Sequence, residues 1–471
     1  MKLKHLIRLS VALPALSLVA CQMVGPDYFR PKQTLPASYQ ESQASDAAEA
    51  MINQWWTLYN DEVLNDLISK ASKNNTDLKI AVARIEEADG YMREVGAALF
   101  PQVNLDSSAS RYKVTELGAT PVFGGSPTRS NINIKLSTTF ELDFWGKLRR
   151  AQESAKAQAL GSRFAKDTID LSLKSLVTGD YLLLRSLEAQ IELSKASMKS
   201  REDSLALTQR RLEGGVSSAL DVHQAEVAYN NLKAQLADLT RQRSIIEHQL
   251  AVLTGDLDLK ISSGDINALP IPPVPPVGLP STLLEARPDV RQAEQNLIAA
   301  NAKIGVAKAA LFPTISLTAG FGGESKDLGD VLKSAARIWN GGLSLNLPVF
   351  DSGRLNSKVD QATAEQKQLL ASYERAVQNA FTEVNDALVN VRQNTEREEA
   401  LNASQLSASK AVEIANNRYK SGYTGYLEVL DAQRVFNEAS LAYVQSRQAR
   451  LTATVEMFKA LGGGWVALPI K

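Results

Sequence analysis

Between residues 131 and 143 apolar and polar side chains alternate without a break. Ile132, Ile134, Leu136, Thr138, Phe140 and Leu142 take one face, and Asn131, Asn133, Lys135, Ser137, Thr139, Glu141 and Asp143 take the other. A period of two is the mark of a strand. Leu343, Leu345, Leu347 and Val349 alternate with Gly342, Ser344, Asn346 and Pro348 in the same way. Ile315, Leu317, Ala319 and Phe321 form a third such face, and Val103 and Leu105 begin a weaker fourth. Elsewhere the period lengthens. Leu370, Tyr373, Val377, Ala380, Val384, Ala387 and Val391 recur at steps of three and four, the period of a left-handed coiled coil. Leu369, Ala376, Phe381 and Leu388 make an adjoining stripe, so this helix is expected to have neighbours on both sides. A two-stranded stalk would need only one seam. No proline interrupts residues 146–213 or 354–421. As helices, each of these would reach about 100 Å.

The pattern occurs twice. Residues 76–101 match 288–313 at a constant offset of 212, with Ala97-Ala98-Leu99-Phe100-Pro101 answering Ala309-Ala310-Leu311-Phe312-Pro313. Arg211, Gly215, Leu220, Val222 and Gly255 match Arg418, Gly422, Leu427, Val429 and Gly462 at an offset of 207. Each half is expected to run short helix, strand, loop, strand, very long helix, glycine turn, medium helix. The Pro270-Ile271-Pro272-Pro273-Val274-Pro275-Pro276 segment between them cannot be helix or inner strand. The chain therefore divides into a leader (1–20), an N-terminal extended segment with the start of an equatorial region (21–75), a first repeat (76–270), a connector (271–287) and a second repeat (288–471). A simple two-domain protein is the alternative.

Four alternating strands of about 9–11 residues are long enough to cross a membrane at a tilt. A soluble sheet with one buried face has the same period. In lipid a sheet must close, and single-chain bacterial barrels need about eight strands or more. One chain offers four, so several chains would pool them, and three copies would supply twelve. Four helix lengths per chain, at ~10 Å between axes, would give three chains a ring ~38 Å across at the axes. Subtracting one helix width leaves a lumen of roughly 28 Å.

Composition sharpens this picture. The 52 basic and 52 acidic side chains of the 471-residue chain leave no net charge, which argues against a nucleic-acid partner. One cysteine excludes a disulfide framework. The first residues read as an address: Lys2, Lys4 and Arg8 precede an apolar stretch from Leu9 to Ala20, too short to span a bilayer. Leu18-Val19-Ala20 leads into Cys21, the chain's only cysteine, as in a bacterial lipoprotein signal whose thiol is acylated. An ordinary cleavage site with an incidental cysteine is the alternative. No nucleophile–base pair, phosphate loop or metal-spaced ligand cluster is visible. His223 and His248 read as helix-face residues. Neither an enzyme nor a metal or cofactor site is expected, beyond the covalent lipid on Cys21.

At this point the chain resembles the TolC family of outer-membrane channel proteins, in its lipidated efflux branch. The segments that carry the resemblance run from Val24-Gly25-Pro26-Asp27-Tyr28 and Trp55-Trp56 to Arg287-Pro288-Asp289-Val290 with Ala293-Glu294. They continue through Phe312-Pro313-Thr314-Ile315, Phe381-Thr382-Glu383-Val384, Tyr426-Leu427-Glu428-Val429-Leu430-Asp431-Ala432 and Leu461-Gly462-Gly463-Gly464-Trp465. The resemblance implies an α+β membrane protein. Its trimeric twelve-stranded β-barrel, four strands per chain, would be continuous with a long periplasmic α-helical coiled-coil barrel. It implies a lipid-anchored place in the outer membrane and an exit duct for small toxic compounds. The partners implied are a periplasmic adaptor and an inner-membrane pump of the resistance-nodulation-division type. Gly214-Gly215, and Gly422 with Gly425, mark the two hairpin tips. There the resemblance implies adaptor docking through Arg211, Gly214, Gly215, Val216, Leu220, Arg418, Gly422 and Tyr423. Glycines that merely permit the turn, and arginines that cap the helix, are the plainer reading. Leu427 and Asp431 stand one turn apart where family members narrow their entrance, and Arg434 is the nearest partner for the acid. The first-repeat counterpart of Asp431 is Gln224. Export of proteins through a similar tube, or a lipid-anchored envelope spacer, remain open as alternatives.

Overall fold

The structure, a computed structural model, describes residues 23–32, 36, 38–39, 54–115, 117, 126–274 and 286–463. The leader, Cys21 and the Pro275-Pro276 end of the connector lie outside the described residues. After a 3-10 turn at Trp55–Tyr59, the helices are α1 (Glu62–Asn74), α2 (Thr76–Ala97), α3 (Lys147–Glu213) and α4 (Ala219–Thr254). In the second half they are α5 (Pro288–Ala309), α6 (Arg354–Lys420) and α7 (Tyr426–Ala460). The strands are β1 (Gln102–Lys113), β2 (Thr128–Leu142), β3 (Thr314–Ser325) and β4 (Arg337–Asn346). From α2 and from α5 onward the order of helices and strands is the same, and α3 and α6 are each 67 residues long.

Three expectations need correction. Segment 21–75, expected to be extended as far as the start of an equatorial region and given no helix of its own, contains α1. Leu64, Leu67, Ile68 and Ala71 recur on one buried face of it. Asp61 caps it, its Oδ1 accepting from the N–H groups of Val63 at 2.9 Å and Leu64 at 3.1 Å. The last strand is shifted: β4 ends at Asn346, and Leu347 and Val349 lie beyond it. Pro348 has no N–H to give to a ladder and biases the residue before it, so the strand stops short. β1 continues to Lys113 although its alternation fades after Leu105, because register with β2 holds it.

The chain forms two compact units. One is drawn from the described residues of Met1–Lys32, Arg84–Arg163 and Gln292–Tyr373, the other from those of Gln33–Ala83, Phe164–Arg291 and Glu374–Lys471. Each unit takes segments from both repeats, so the repeats are not separate domains.

The first unit holds the sheet, an antiparallel meander in the order β1-β2-β3-β4. Register brings apolar residues side by side across the strands: Leu105, Leu136, Phe321 and Trp339 form one row, Phe140, Leu317 and Leu343 another, and Leu142, Ile315 and Leu345 a third. The opposite face carries Asp106, Lys135, Ser108, Asn133 and Glu324. The apolar rows are open: Trp339 is 81% exposed and Leu105 70%. A soluble sheet would bury this face. The outer edges of β1 and β4 have no partner strand among the described residues. At the foot of the sheet Trp145 stacks on Phe312 at 4.8 Å and donates from Nε1 to the Pro313 carbonyl at 2.8 Å. The Val24–Tyr28 segment is bound beside it. Val24 N–H donates to the Trp145 carbonyl at 3.0 Å, and the Pro26 carbonyl accepts from Asn301 at 2.9 Å. Gly25 is required at its position: its φ is +106°, and a Cβ would stand 2.5 Å from the Cα of Gly305.

The second unit is built on a core that includes Trp55, Tyr59, Tyr181, Leu182, Leu250, Ile266 and Leu451. Trp55 stacks on Phe458 at 5.4 Å, which accounts for the first tryptophan of the pair. Along α6, Val377, Ala380, Val384, Ala387 and Val391 are all buried, as the heptad spacing requires. Val384, Ala387, Leu388 and Val391 join Ala453, Met457, Ala460 and Leu461 of the α7 end in one cluster. Arg287, from the Arg-Pro-Asp motif, ties this region together. Its guanidinium holds Asp289 at 2.7 Å, Glu383 at 2.6 Å and the Ala460 carbonyl at 3.0 Å.

Candidate functional site

The second unit contains both helix-to-helix turns, and they are built alike. Val216 N–H donates to the Arg211 carbonyl at 2.9 Å, and Tyr423 N–H to the Arg418 carbonyl at 2.9 Å. These are the reversed bonds that close a helix C-terminus over a left-handed residue. That residue is Gly215, φ +70°, in the first turn and Gly422, φ +78°, in the second. Gly214 and Gly425 do not take positive φ, so only one glycine per turn is needed for chain reversal. The matched arginines thus share a backbone role, while their side chains differ. The Arg211 guanidinium lies 4.5 Å over the Tyr419 ring, and Arg418 stands 3.7 Å from Glu428. Neither contact is the helix capping by arginine side chains that the plainer reading of the tips would give.

The helices leaving the two turns start differently. α4 has a full capping box. Ser218 Oγ accepts from Asp221 N–H at 3.3 Å, and Asp221 Oδ2 accepts from Ser218 N–H at 3.1 Å and from Ser217 at 2.8 Å. These bonds, that from Ser217 first, hold the Asp221 carboxyl below its ordinary range. α7 has Gly425 at its N-cap position, with no side chain to cap it. Val216 and Tyr423 project at the tips, 71% and 80% exposed.

On α7, Leu427 and Asp431 lie one turn apart. Arg434 Nη2 donates to Asp431 Oδ1 at 2.8 Å, and its Nη1 donates to Glu438 at 3.0 Å. The bond to Asp431, then that to Glu438, pushes the Arg434 guanidinium above its usual value. The structure therefore brings Asp431 and Arg434 together as their spacing suggests, and adds Glu438. Leu427 and its first-repeat counterpart Leu220 are equally open, at 64% each.

Several residues here were not legible in the sequence. Tyr419 and Tyr426 pack at 5.8 Å, and with Ala225, Ala415 and Val429 they form a small core beneath the tips. The offset of 207 sets Leu212 and Ala219 against them, so an aromatic present in one repeat only was the available signal. Arg201 of α3 was also missed. It is 6% exposed, and its Nη1 is buried without a partner. Among the described residues no group of His, Cys, Asp or Glu could hold a metal ion, and no helix is long and apolar enough to cross a membrane.

Four membrane-length strands with an open apolar face, joined to paired helices of great length, define a subunit of an outer-membrane channel. The chain belongs to the outer membrane efflux protein family, whose model matches residues 67–256 and 279–463. The toluene efflux pump outer membrane protein TtgF of Pseudomonas putida is 34% identical over 472 residues, 97% of this chain and 96% of that protein. The cation efflux system protein CusC of Escherichia coli is 31% identical over 455 residues, 96% of this chain and 97% of that one. The solved outer-membrane channel OprN superposes with a TM-score of 0.87 at 30% identity, covering 94% of this chain and 99% of that one. The fold expected from the repeats and strands is the one these channels have.

Proposed function

We propose that three copies of this chain pool their strands into one barrel and form the exit duct of a tripartite efflux system. Small toxic compounds would pass through it from an inner-membrane pump and a periplasmic adaptor to the exterior. The observation that carries this reading is the sheet: four strands, apolar rows left open on one face, and two unpaired edges. Such a sheet can enter lipid only if other strands close it, and this chain has no more to offer among its described residues. Cys21 would carry the lipid anchor. The duct needs no chemistry of its own. Its cargo is not fixed by kinship, because relatives named for toluene and for cations stand at similar identity.

The tips would receive the adaptor. Support comes from the projecting Val216 and Tyr423, and from a backbone turn repeated in both halves. The gate would be formed by Leu427, Asp431 and Arg434. The uncapped start of α7, against the boxed start of α4, supports one mobile hairpin and one static one. Photo-crosslinking residues at Val216 and Tyr423, in cells, test the assignment. Capture of a single periplasmic adaptor, identified by mass spectrometry, is expected. Capture of no envelope protein, with the chain folded and abundant, would overturn it.

A further inference from the structure

A groove of about 510 Å³ runs along α4 and α7 and reaches Arg201 of α3. Leu220, Val227, Leu232 and Leu430 supply its apolar lining, and Asn231 and Asn437 its amides. All of these belong to the second unit. Three side chains that can carry positive charge border the groove, together with the Glu438 carboxylate, and two of the three are occupied. Arg434 is held by Asp431 and Glu438, and His223 Nδ1 is 3.0 Å from Glu226. Arg201 is the third. It forms no ion pair with any described carboxylate, it is 6% exposed, and its Nη1 is shut away from both water and a partner. Burial pulls its pKa below the ordinary arginine value, and only the nearby Tyr426 hydroxyl opposes that. An ionised group held dry without a counter-charge is costly, and an anion reaching it would remove the cost. The Asn437 amide oxygen is likewise buried without a partner, so a hydrogen-bond donor on the same ligand would satisfy a second orphan.

We propose that this groove binds a compact organic anion, a carboxylate on a hydroxylated apolar body, with Arg201 as the counter-charge. The volume lies within the range of about 300–1,000 Å³ that small-molecule sites occupy and is too small for a protein segment with its own fold. The aliphatic walls suit a ring system or short chain. Arg434 and Leu220 on its wall also belong to the gate and tip of the duct reading, but the test is separate from that reading, because occupancy is measured without transport.

The probe is 6-hydroxy-2-naphthoate, compared with its uncharged amide, titrated by calorimetry against the full-length protein in amphipol at neutral pH. The acid is expected to bind at least tenfold more tightly than the amide, and more weakly as salt rises. Arg201→Gln should remove that advantage by weakening the acid alone. Val227→Trp, placed at an exposed position on the wall, should weaken both probes by filling the groove. Equal affinity of acid and amide for the native protein would overturn the proposal. So would acid binding unchanged in Arg201→Gln, or no binding of either probe at millimolar concentration.

Discussion

Asp431 has one partner that spacing reveals and a setting that spacing does not. A carboxylate and an arginine three residues apart on a helix meet readily, and here they do, at 2.8 Å. Glu438 adds a second acid on the same guanidinium, at 3.0 Å. The triad is exposed in one chain, so it contributes little to folding and is free to act on a neighbour. Asp431→Ala should therefore raise resting conductance severalfold in planar bilayers, while Gln224→Ala at the matched first-repeat position should leave it unchanged. Equal effects of the two variants would remove Asp431 from the gate. Asp180 poses the opposite case. It sits where the second repeat has the buried Ala387, it has no partner among the described residues, and burial raises its pKa to about 6. The folded chain then binds more protons than the unfolded chain between about pH 4 and pH 6, so this residue's contribution to stability falls as pH rises through that window. Asp180→Asn should stabilise the protein at pH 7.5 by about 1 kcal/mol, a figure discounted for partial exposure, and should change nothing at pH 4. A destabilised variant at pH 7.5 would show that another chain supplies a cation to Asp180. The Arg211–Tyr419 contact lies beyond any such local rule, because 208 positions separate the residues and only the fold sets them 4.5 Å apart.

Elements differ in how much of themselves they announce. α3 and α6 were legible almost to the residue, since a long proline-free run with a seam every three or four positions has one stable outcome. β2 was legible because each side chain alternates. β1 was not, beyond Leu105, because its conformation comes from its neighbour: twelve successive residues pair with β2. The failure at α1 was of another kind, for its amphipathic spacing and Asp61 cap were present in the sequence and went unread. The turns allow a sharper test of local reasoning. Two adjacent glycines in the first tip look equivalent, yet only Gly215 has positive φ. With no atom within 4 Å of a Cβ placed there, the penalty for Gly215→Ala is purely conformational, about 1–2 kcal/mol. Gly422→Ala should cost about the same. Gly214→Ala should be neutral or stabilising by roughly 0.5 kcal/mol, since a Cβ there meets nothing closer than 3.5 Å. Hydrogen exchange at the Val216 and Tyr423 amides, which close the two turns, would report each change locally. Equal protection in Gly214→Ala and Gly215→Ala would refute the assignment of roles.

The whole molecule places its apolar surface where a soluble protein would not. The α6 seam from Val377 to Val391 is buried within the chain, but the sheet leaves Leu105, Leu136, Phe321, Trp339, Leu343 and Leu345 open. Register rather than composition makes this meaningful, because scattered apolar residues are ordinary on any surface. Here they align in rows, one across all four strands and two across β2, β3 and β4, with Asn133, Lys135 and Glu324 on the reverse. Lipid on one side and water on the other is the environment that suits both faces. The consequence can be tested without knowing the cargo. Leu136→Arg, at the middle of the apolar rows, should cost about 2–4 kcal/mol per chain near the bilayer midplane and sharply lower the yield of assembled oligomer in outer membranes. Asn133→Arg, three residues away on the reverse face, would keep its charge in water and should assemble normally. Semi-native gels, with boiled controls, would separate assembled from monomeric protein in both variants. If both substitutions were tolerated equally, the apolar rows would not be facing lipid. If both failed equally, the reverse face would be packed rather than wet. Only failure of Leu136→Arg alone matches a barrel wall whose two sides were already distinguishable in the alternation from Asn131 to Asp143.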